Sequence, residues 1–256
     1  MNIAKADYIE GLAKGLAVLE AFDTERQRLN ATLAAQRTGI TRAAARRHLL
    51  TLAELGYLET DGSHYWLSAR VLRFAGSYMA TSRLPRTLQP TLNRLTQQTQ
   101  AAFSAVVLDG DEGVIVARSA GLAEPVRLLA YGLHLGARLP AHATSTGRVL
   151  LASLPKADFN HWLKGRELAR ITPQTEVTVA KFKSLIEQVR RDDHCVAREA
   201  HELGIHALAV PLRNMQGRTL AALNVVGTAE QLSEAAVQRK WLPLLLDAAR
   251  ELRPLL

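Results

Sequence analysis

The sequence predicts an α+β fold in two parts, and three observations predict it. From Asn30 to Leu67 two short helical patterns meet at a Gly turn and run into a β-hairpin. After Gln100 the texture changes from helical periodicity to short β-rich runs separated by Asp-Gly and other Gly-containing turns. Beyond that point strands and helices come in mixed order, which suits an antiparallel sheet with helices packed on it.

The elements follow in order. Leu12, Leu16, Leu19 and Phe22 recur at helical spacing and predict a helix over Tyr8 to Phe22. Asn30 caps a second helix containing Leu33, Ala34 and Ala35, and Thr38-Gly39-Ile40 turns the chain. Thr41 caps a third helix, because its hydroxyl can accept from an orphan N–H of the first turn. On that helix Ala44, Leu49, Leu52 and Leu55 form an apolar stripe, and Arg42, Ala45, Arg46 and His48 are expected on the other side. Tyr57 and Leu58 lead into the turn signal Asp61-Gly62, and Tyr65, Trp66 and Leu67 return. Helix, turn, helix and hairpin make a winged helix-turn-helix. A helix with one buried face and arginines on the other suits the DNA major groove.

Ser68 to Thr81 reads as a connecting helix with Val71, Leu72, Ala75 and Tyr78 on one side, broken at Leu84-Pro85. A further helix runs from Arg86 to Thr99, interrupted or restarted at Pro90. Ala105–Leu108, Val114–Ala117 and Val126–Ala130 read as strands, as do Ile205–Leu212 and Thr219–Val226. Thr144–Leu154, Val179–Arg191 and Ser233–Leu252 read as helices. The implied organisation is a DNA-binding domain over 1–68, a connecting helix over 69–84 and a mixed domain over 85–256.

Composition narrows the class. The net charge is +8 over 256 residues. No acid lies between Glu25 and Glu54 or between Asp61 and Asp109, while each window holds five or more arginines. Such windows suit a phosphate backbone, where neutralised phosphates release counterions. Over 1–68 acids and bases balance, so the DNA reading rests on where Arg42, Arg46 and Arg47 point. Thr41, Arg47 and the hairpin tip at Ser63 and His64 are expected at phosphates, and Arg42 and Arg46 at bases. No apolar run approaches the ~20 residues that span a bilayer. There is no apolar signal segment at the start, and Cys195 is the only cysteine. A cytoplasmic location with no membrane partner is the expectation.

Several segments in collinear order carry a family resemblance. They are GLAKGLAVLEAF (Gly11–Phe22), RTGITRAAARRHLLTLAELGYL, LGARLPAHATSTGRVLLA (Leu135–Ala152), EAHELGIHALAVPL (Glu199–Leu212) and AALNVVG (Ala221–Gly227). Over nearly its whole length the chain resembles the IclR family of bacterial transcriptional regulators, and most closely its aromatic-acid catabolism branch. The resemblance implies a connecting helix used in dimerisation and a GAF-like effector-binding domain. It also implies homodimers or tetramers on double-stranded operator DNA. It implies an activator that works with RNA polymerase and answers to 4-hydroxybenzoate, with protocatechuate as the alternative effector. A repressor of the same family with another carboxylate effector is the third reading.

A pocket for an aromatic acid needs a flat apolar slot, donors for a carboxylate and a partner for a ring hydroxyl. Leu128, Leu129, Tyr131, Leu135 and Leu139 can line such a slot. Thr144, Ser145 and Thr146 begin a helix, whose free N–H groups and dipole favour a carboxylate. Thr144 serves equally well as a plain helix cap. Arg127 or Arg138 can add a bidentate contact, although Arg138 also suits a structural ion pair and Arg127 can face solvent. His142 is a candidate partner for a phenol or carboxylate. The family's pocket positions carry over onto Leu128, Tyr131, Leu139, Ser145, Thr146, Ala197, Ala207, Asn224 and Val226. Where the glyoxylate- and pyruvate-binding branch has an acid, a cysteine and serines, this chain has Ala197, Ala207, Asn224 and Val226. That lining suits a larger, flatter ligand. Glu199 reads as structural, since a carboxylate in the pocket would repel an acid.

Nothing points to catalysis. His194 and Cys195 are sequence neighbours that face opposite ways in extended chain, and Ser145 lacks a GxSxG elbow. His134, His142, His201 and His206 show no metal-ligand spacing, so neither metal nor cofactor is expected.

Overall fold

The computed structural model describes residues 3–23, 26–119 and 134–256. The chain divides into two compact units, 1–81 and 82–256.

In the first unit α1 (Glu10–Glu20), α2 (Ala31–Thr38) and α3 (Arg42–Glu54) precede a two-stranded sheet of β1 (Leu58–Thr60) and β2 (Tyr65–Leu67). Local chemistry sets these boundaries. Asn30 Oδ1 accepts from the N–H groups of Thr32 and Leu33 at 3.1 and 3.0 Å. Gly39 ends α2 at φ 70°, and Thr41 Oγ1 accepts from Ala44 N–H at 3.2 Å to start α3. The core holds Val18, Phe22, Leu29, Ala34, Ala45, Leu49, Leu52, Leu58 and Tyr65. Two expectations fail here. Leu55, expected in the apolar stripe of the third helix, is exposed at its C-terminal end. Ala45 is fully buried, because it lies four residues before Leu49 and seven before Leu52 on one helical face.

A short 3₁₀ turn at Ala69–Val71 leads into α4 (Leu72–Thr81). Phe74 stacks on Tyr57 with ring centroids 5.6 Å apart, which fixes α4 against the hairpin.

The second unit opens with α5 (Arg83–Thr99), which runs unbroken through Pro85 and Pro90. Pro85 sits in the first turn, where its missing N–H has no partner to lose. Pro90 is interior, at a cost of about 3 kcal/mol. Leu88, Leu92 and Leu95 are fully buried. Each contributes about 1.5–3 kcal/mol, so packing outweighs the proline.

Six antiparallel strands follow in the order β5-β4-β3-β8-β7-β6. They are β3 (Ala102–Asp109), β4 (Glu112–Arg118), β5 (Arg138–Pro140), β6 (Cys195–Arg198), β7 (Ile205–Arg213) and β8 (Thr219–Thr228). The expected strand over Val126–Ala130 lies outside the described residues. Helices α6 (Ser145–Ser153), α7 (Lys156–Leu163) and α8 (Val179–Asp192) lie between β5 and β6. The chain closes with α9, which runs from Glu234–Ala236 through a π-turn at Val237–Trp241 into Leu242–Leu252. Pro243 follows the π-turn, which absorbs the lost hydrogen bond.

Period-two alternation decides what each sheet face carries. Phe103, Ala105, Leu208, Val210, Leu223 and Val225 face α5 and α9 in one large core. The opposite face carries Val106, Ile115, Ala209 and Ala222, packed against Val149 and Leu150 of α6 and Val189 of α8. By the same alternation Ser104, Ala207, Asn224 and Val226 fall on that second face. Its side chains are small, and it is where a cavity forms.

Candidate functional site

The exposed surface of α3 and its cap is Thr41, Arg42, Ala43, Arg46, Arg47, Leu50, Thr51 and Glu54. Among the described residues, Arg42, Arg46 and Arg47 have no ion-pair or side-chain hydrogen-bond partner. Their charges are therefore available to an outside anion. Ala45 is absent from this surface, and His48 is half-buried with its ring toward Gly15 of α1. Both leave the reading face, since α3 is turned so that 45, 49 and 52 point inward.

The hairpin tip is built around an acid. Asp61 Oδ1 accepts from the N–H groups of Ser63 and His64 at 2.9 and 2.8 Å, and from Ser63 Oγ at 2.9 Å. The bonds from His64 and then Ser63 hold the Asp61 carboxyl at a pKa of about 2. Ser63 is thus committed to Asp61 and is poorly placed for a phosphate. His64 Nδ1 lies 3.0 Å from Ser63 Oγ. The cation of the hairpin is Arg28, which lies 4.3 Å over the Trp66 ring and 3.4 Å from Asp61. Sequence reasoning missed it because Leu29 pairs with Tyr65, a contact between distant positions.

The second unit holds a cavity on the small-residue face of the sheet. Ser104 and Val106 come from β3, Ile115 from β4 and Leu139 from β5. Thr144, Ser145 and Thr146 come from the start of α6, and Ala197, Ala207, Asn224 and Val226 from β6, β7 and β8. His201 and Glu202 stand in the loop before β7. The interior space of about 70 Å³ is several times the roughly 10–15 Å³ that one water needs, which suits a single small molecule.

Three groups give the cavity its chemistry. Thr144 Oγ1 caps α6 by accepting from Gly147 N–H at 3.1 Å. That leaves the first N–H groups of the helix, at Ser145 and Thr146, without an intrahelical acceptor. Ser145 Oγ is buried with no hydrogen-bond partner among the described residues. Opposite, Asn224 Oδ1 accepts from Ser104 N–H at 3.2 Å and from Ser104 Oγ at 2.5 Å. Its oxygen is used, and the amide NH₂ is the remaining group. The start of α6 is placed by close contact, because a Cβ at Gly147 would stand 2.3 Å from the Ala141 backbone. The His201 loop is held by Thr172 Oγ1, which donates to Glu199 O at 2.6 Å, and Thr175 Oγ1, which donates to Ala200 O at 2.8 Å. Burial holds the His201 imidazole below its ordinary pKa, so it is neutral near pH 7.

The expected pocket residues divide. Leu139, Thr144, Ser145, Thr146, Ala197, Ala207, Asn224 and Val226 meet at this one cavity. Arg127, Leu128, Leu129 and Tyr131 lie outside the described residues. Leu135 is exposed. His142 is corrected: it sits in a 3₁₀ turn, faces away from the cavity and bonds Ala169 O at 2.9 Å through Nε2. Its neighbour Ala143 faces the cavity instead. Arg138 is an ion-pair residue, with Glu112 at 2.6 Å and Asp109 at 2.9 Å. Glu199 is structural, as its Oε1 accepts from Gly204 N–H at 2.8 Å. Ser104 and His201 were not foreseen. Among the described residues no cluster of acids, histidines and cysteine could hold a metal. No helix among them is long and apolar enough to cross a membrane.

A winged helix-turn-helix with unpaired arginines, followed by a sheet domain with a small-molecule cavity, defines a ligand-responsive DNA-binding regulator. Residues 11–62 match the IclR helix-turn-helix domain, and residues 76–253 match the bacterial transcriptional regulator IclR C-terminal domain. The chain belongs to the IclR family, and it is a transcriptional regulator rather than an enzyme. It is 49% identical over 255 residues to the p-hydroxybenzoate hydroxylase transcriptional activator of Acinetobacter baylyi, covering 99% of this chain and 94% of that one. It is 47% identical to the Pca operon regulatory protein of the same organism, covering 99% and 91%. A solved structure of a double mutant of the PobR inducer-binding domain from Acinetobacter, in complex with 3-hydroxybenzoic acid, matches with a TM-score of 0.61. That match has 43% identity and covers 67% of this chain and 98% of that one.

Proposed function

We propose that the chain activates genes of aromatic-acid catabolism when 4-hydroxybenzoate occupies the cavity at the start of α6. The observation that carries this reading is the Ser145 hydroxyl, buried without a partner among the described residues beside the free N–H groups of a helix start. That arrangement favours a carboxylate. Leu139, Ala197, Ala207 and Val226 supply an apolar slot for the ring, and Thr144, Ser145 and Thr146 hold the carboxylate. The Asn224 amide and His201 stand where a ring hydroxyl can bond. The likeness to an activator of p-hydroxybenzoate hydroxylase and to a hydroxybenzoate-bound domain supports the choice of ligand.

On DNA, Arg42 and Arg46 read bases, and Thr41, Arg47 and Arg28 meet phosphates. The regulator works as a homodimer or tetramer: Ile9, Leu12 and Leu16 of the first helix region and Leu72, Phe74 and Tyr78 of α4 are exposed, and a second copy would cover them. As an activator in the cytoplasm it works with RNA polymerase. The effector acts by binding two arrangements of the oligomer unequally.

Calorimetry with 4-hydroxybenzoate, protocatechuate, benzoate and pyruvate tests the reading. The expected order places a hydroxybenzoate tightest. Ser145→Ala should weaken it by about 1.5–3 kcal/mol, the worth of a hydrogen bond to a charged group. Tighter binding of pyruvate, or no change in Ser145→Ala, would remove this cavity as the effector site.

A further inference from the structure

Arg148 is an unusual residue that the effector cavity does not use. It lies in the first turn of α6, yet is only 4% exposed. Its Nε donates to His142 O at 2.8 Å, and its guanidinium lies against the Cys195 thiol. Among the described residues no carboxylate stands within ion-pair distance of it. A buried cation without a counter-charge is one of the costliest arrangements in a folded chain.

The same guanidinium lines a second cavity of about 610 Å³, open to solvent, between α8, the edge strand β6 and α9. Arg148 and Cys195 form its buried floor, and Leu185, Val189, Val237 and Leu242 give it apolar walls. Gln188 and Gln238 are exposed at its mouth, and so are Asp192, Arg198 and Glu234. None of its lining residues belongs to the first cavity. We propose that this cavity is a second ligand site, for a small organic monocarboxylate whose carboxylate pairs with Arg148 and whose apolar body lies between α8 and α9. Arginine suits this role because its fork matches both carboxylate oxygens. The rim acids lie in solvent, where water and salt screen them from the floor. They also accept hydrogen bonds, so a ligand carrying a hydroxyl at its far end fits better than a second anionic group.

Cys195 supplies the test, because it is the only cysteine in the chain and lies on the floor of this cavity. The rate at which a small thiol reagent modifies Cys195 is followed in the full chain as benzoate is added, with benzamide as the uncharged control. Benzoate should slow the reaction saturably, and benzamide should not. Arg148→Gln should shift the midpoint at least about tenfold, the loss of one charge-assisted contact. Gln238→Trp, on the exposed mouth, should abolish the benzoate dependence and keep the calorimetric response to 4-hydroxybenzoate. Glu202→Trp, at the mouth of the first cavity, should keep the benzoate dependence of Cys195 and remove the first-cavity part of the heat on adding 4-hydroxybenzoate. Protection that is absent, equal with benzamide, lost in Glu202→Trp or unchanged in Gln238→Trp overturns the proposal. Gln238→Trp decides alone if Arg148→Gln does not fold. Protection of Cys195 without any heat from the first cavity would refute the effector reading and leave this one standing.

Discussion

Replacing Gly147 by alanine sets helix propensity against close packing, and the two predict opposite signs. Gly147 lies in the first turn of α6 with helical backbone geometry. By propensity alone the change should stabilise the helix by about 0.8–1.0 kcal/mol. The added Cβ would stand 2.3 Å from both Cα and O of Ala141, and 2.6 Å from its carbonyl carbon. Carbon atoms prefer roughly 3.5–4.0 Å, and a backbone cannot rotate out of the way as a side chain can. Forcing an extra methyl into such a contact costs about 1–3 kcal/mol or more. A contact this close with backbone puts the cost at or above about 3 kcal/mol, so the clash wins by about 2 kcal/mol, which in a unit of this size lowers Tm by about 4–8 °C. Displacing Ala141 also drags Ala143 and Thr144, so effector affinity falls with Tm. The assay is thermal unfolding by circular dichroism, with Gly11→Ala as the control. Gly11 sits in α1 with nothing within 4 Å of an added Cβ, so the same change there should be neutral or stabilising. An unchanged or raised Tm in Gly147→Ala would refute the claim that contact with Ala141 positions the helix start.

Other expectations follow from the DNA-binding unit. Arg46→Ala should lose about 1–3 kcal/mol of preference for operator over scrambled duplex in an anisotropy titration; an unchanged ratio would take Arg46 off the reading face. Asn30→Ala removes the acceptor for two N–H groups and should lower stability by about 0.5–2 kcal/mol in urea unfolding, while Thr32→Ala, which removes no cap, should not. Asp61 has its pKa lowered from 3.8 to about 2, so its contribution to the hairpin tip is complete above 3.8 and is lost as pH falls toward 2. Protection of the Ser63 and His64 amides, taken against the intrinsic exchange rate at each pH, should fall across that interval, and equal protection at both ends would show that the carboxylate does not hold the turn.

Element boundaries were legible where the determining chemistry is local. Asn30, Gly39 and Thr41 mark the ends of α2 and α3 within a residue, because a cap acts on the N–H groups beside it. The facing of α3 was misread over Ala43-Ala44-Ala45, where three identical side chains give no contrast. The spacing of Ala45, Leu49 and Leu52 at i, i+4 and i+7 contained the answer. Leu12 and Leu16 keep the helical spacing that marked α1 yet are exposed, because spacing shows that residues share a face and not what covers it. Pro90 was read as a break because its penalty is local, whereas the leucines that outweigh it gain their energy from strands far along the chain. The short edge strands β5 and β6 carry too few residues for a period to show.

The two cavities of the sheet domain differ in legibility for a related reason. The first was half-written in the alternation of HALAVPL and ALNVVG, where large side chains take one face and small ones the other. Pairing those strands puts Ala207 opposite Val226 and Asn224 opposite Ala209, so the small faces coincide and leave room. A helix start laid over that room brings unsatisfied donors to it. The second cavity left no such trace. Arg148 is one arginine among many, and its meaning lies in a negative fact, that no carboxylate among the described residues is within reach. Sequence can state which charges exist but not which are left alone after folding. Ser145 and Arg148 stand three positions apart in the same helix, and among the described residues one is a hydroxyl without a hydrogen-bond partner and the other a charge without a carboxylate beside it. Each costs the unliganded protein stability that a carboxylate can restore. On this reading a ligand site in the domain is marked by a buried group whose bonding or charge the chain itself leaves incomplete, and α6 carries one of each kind.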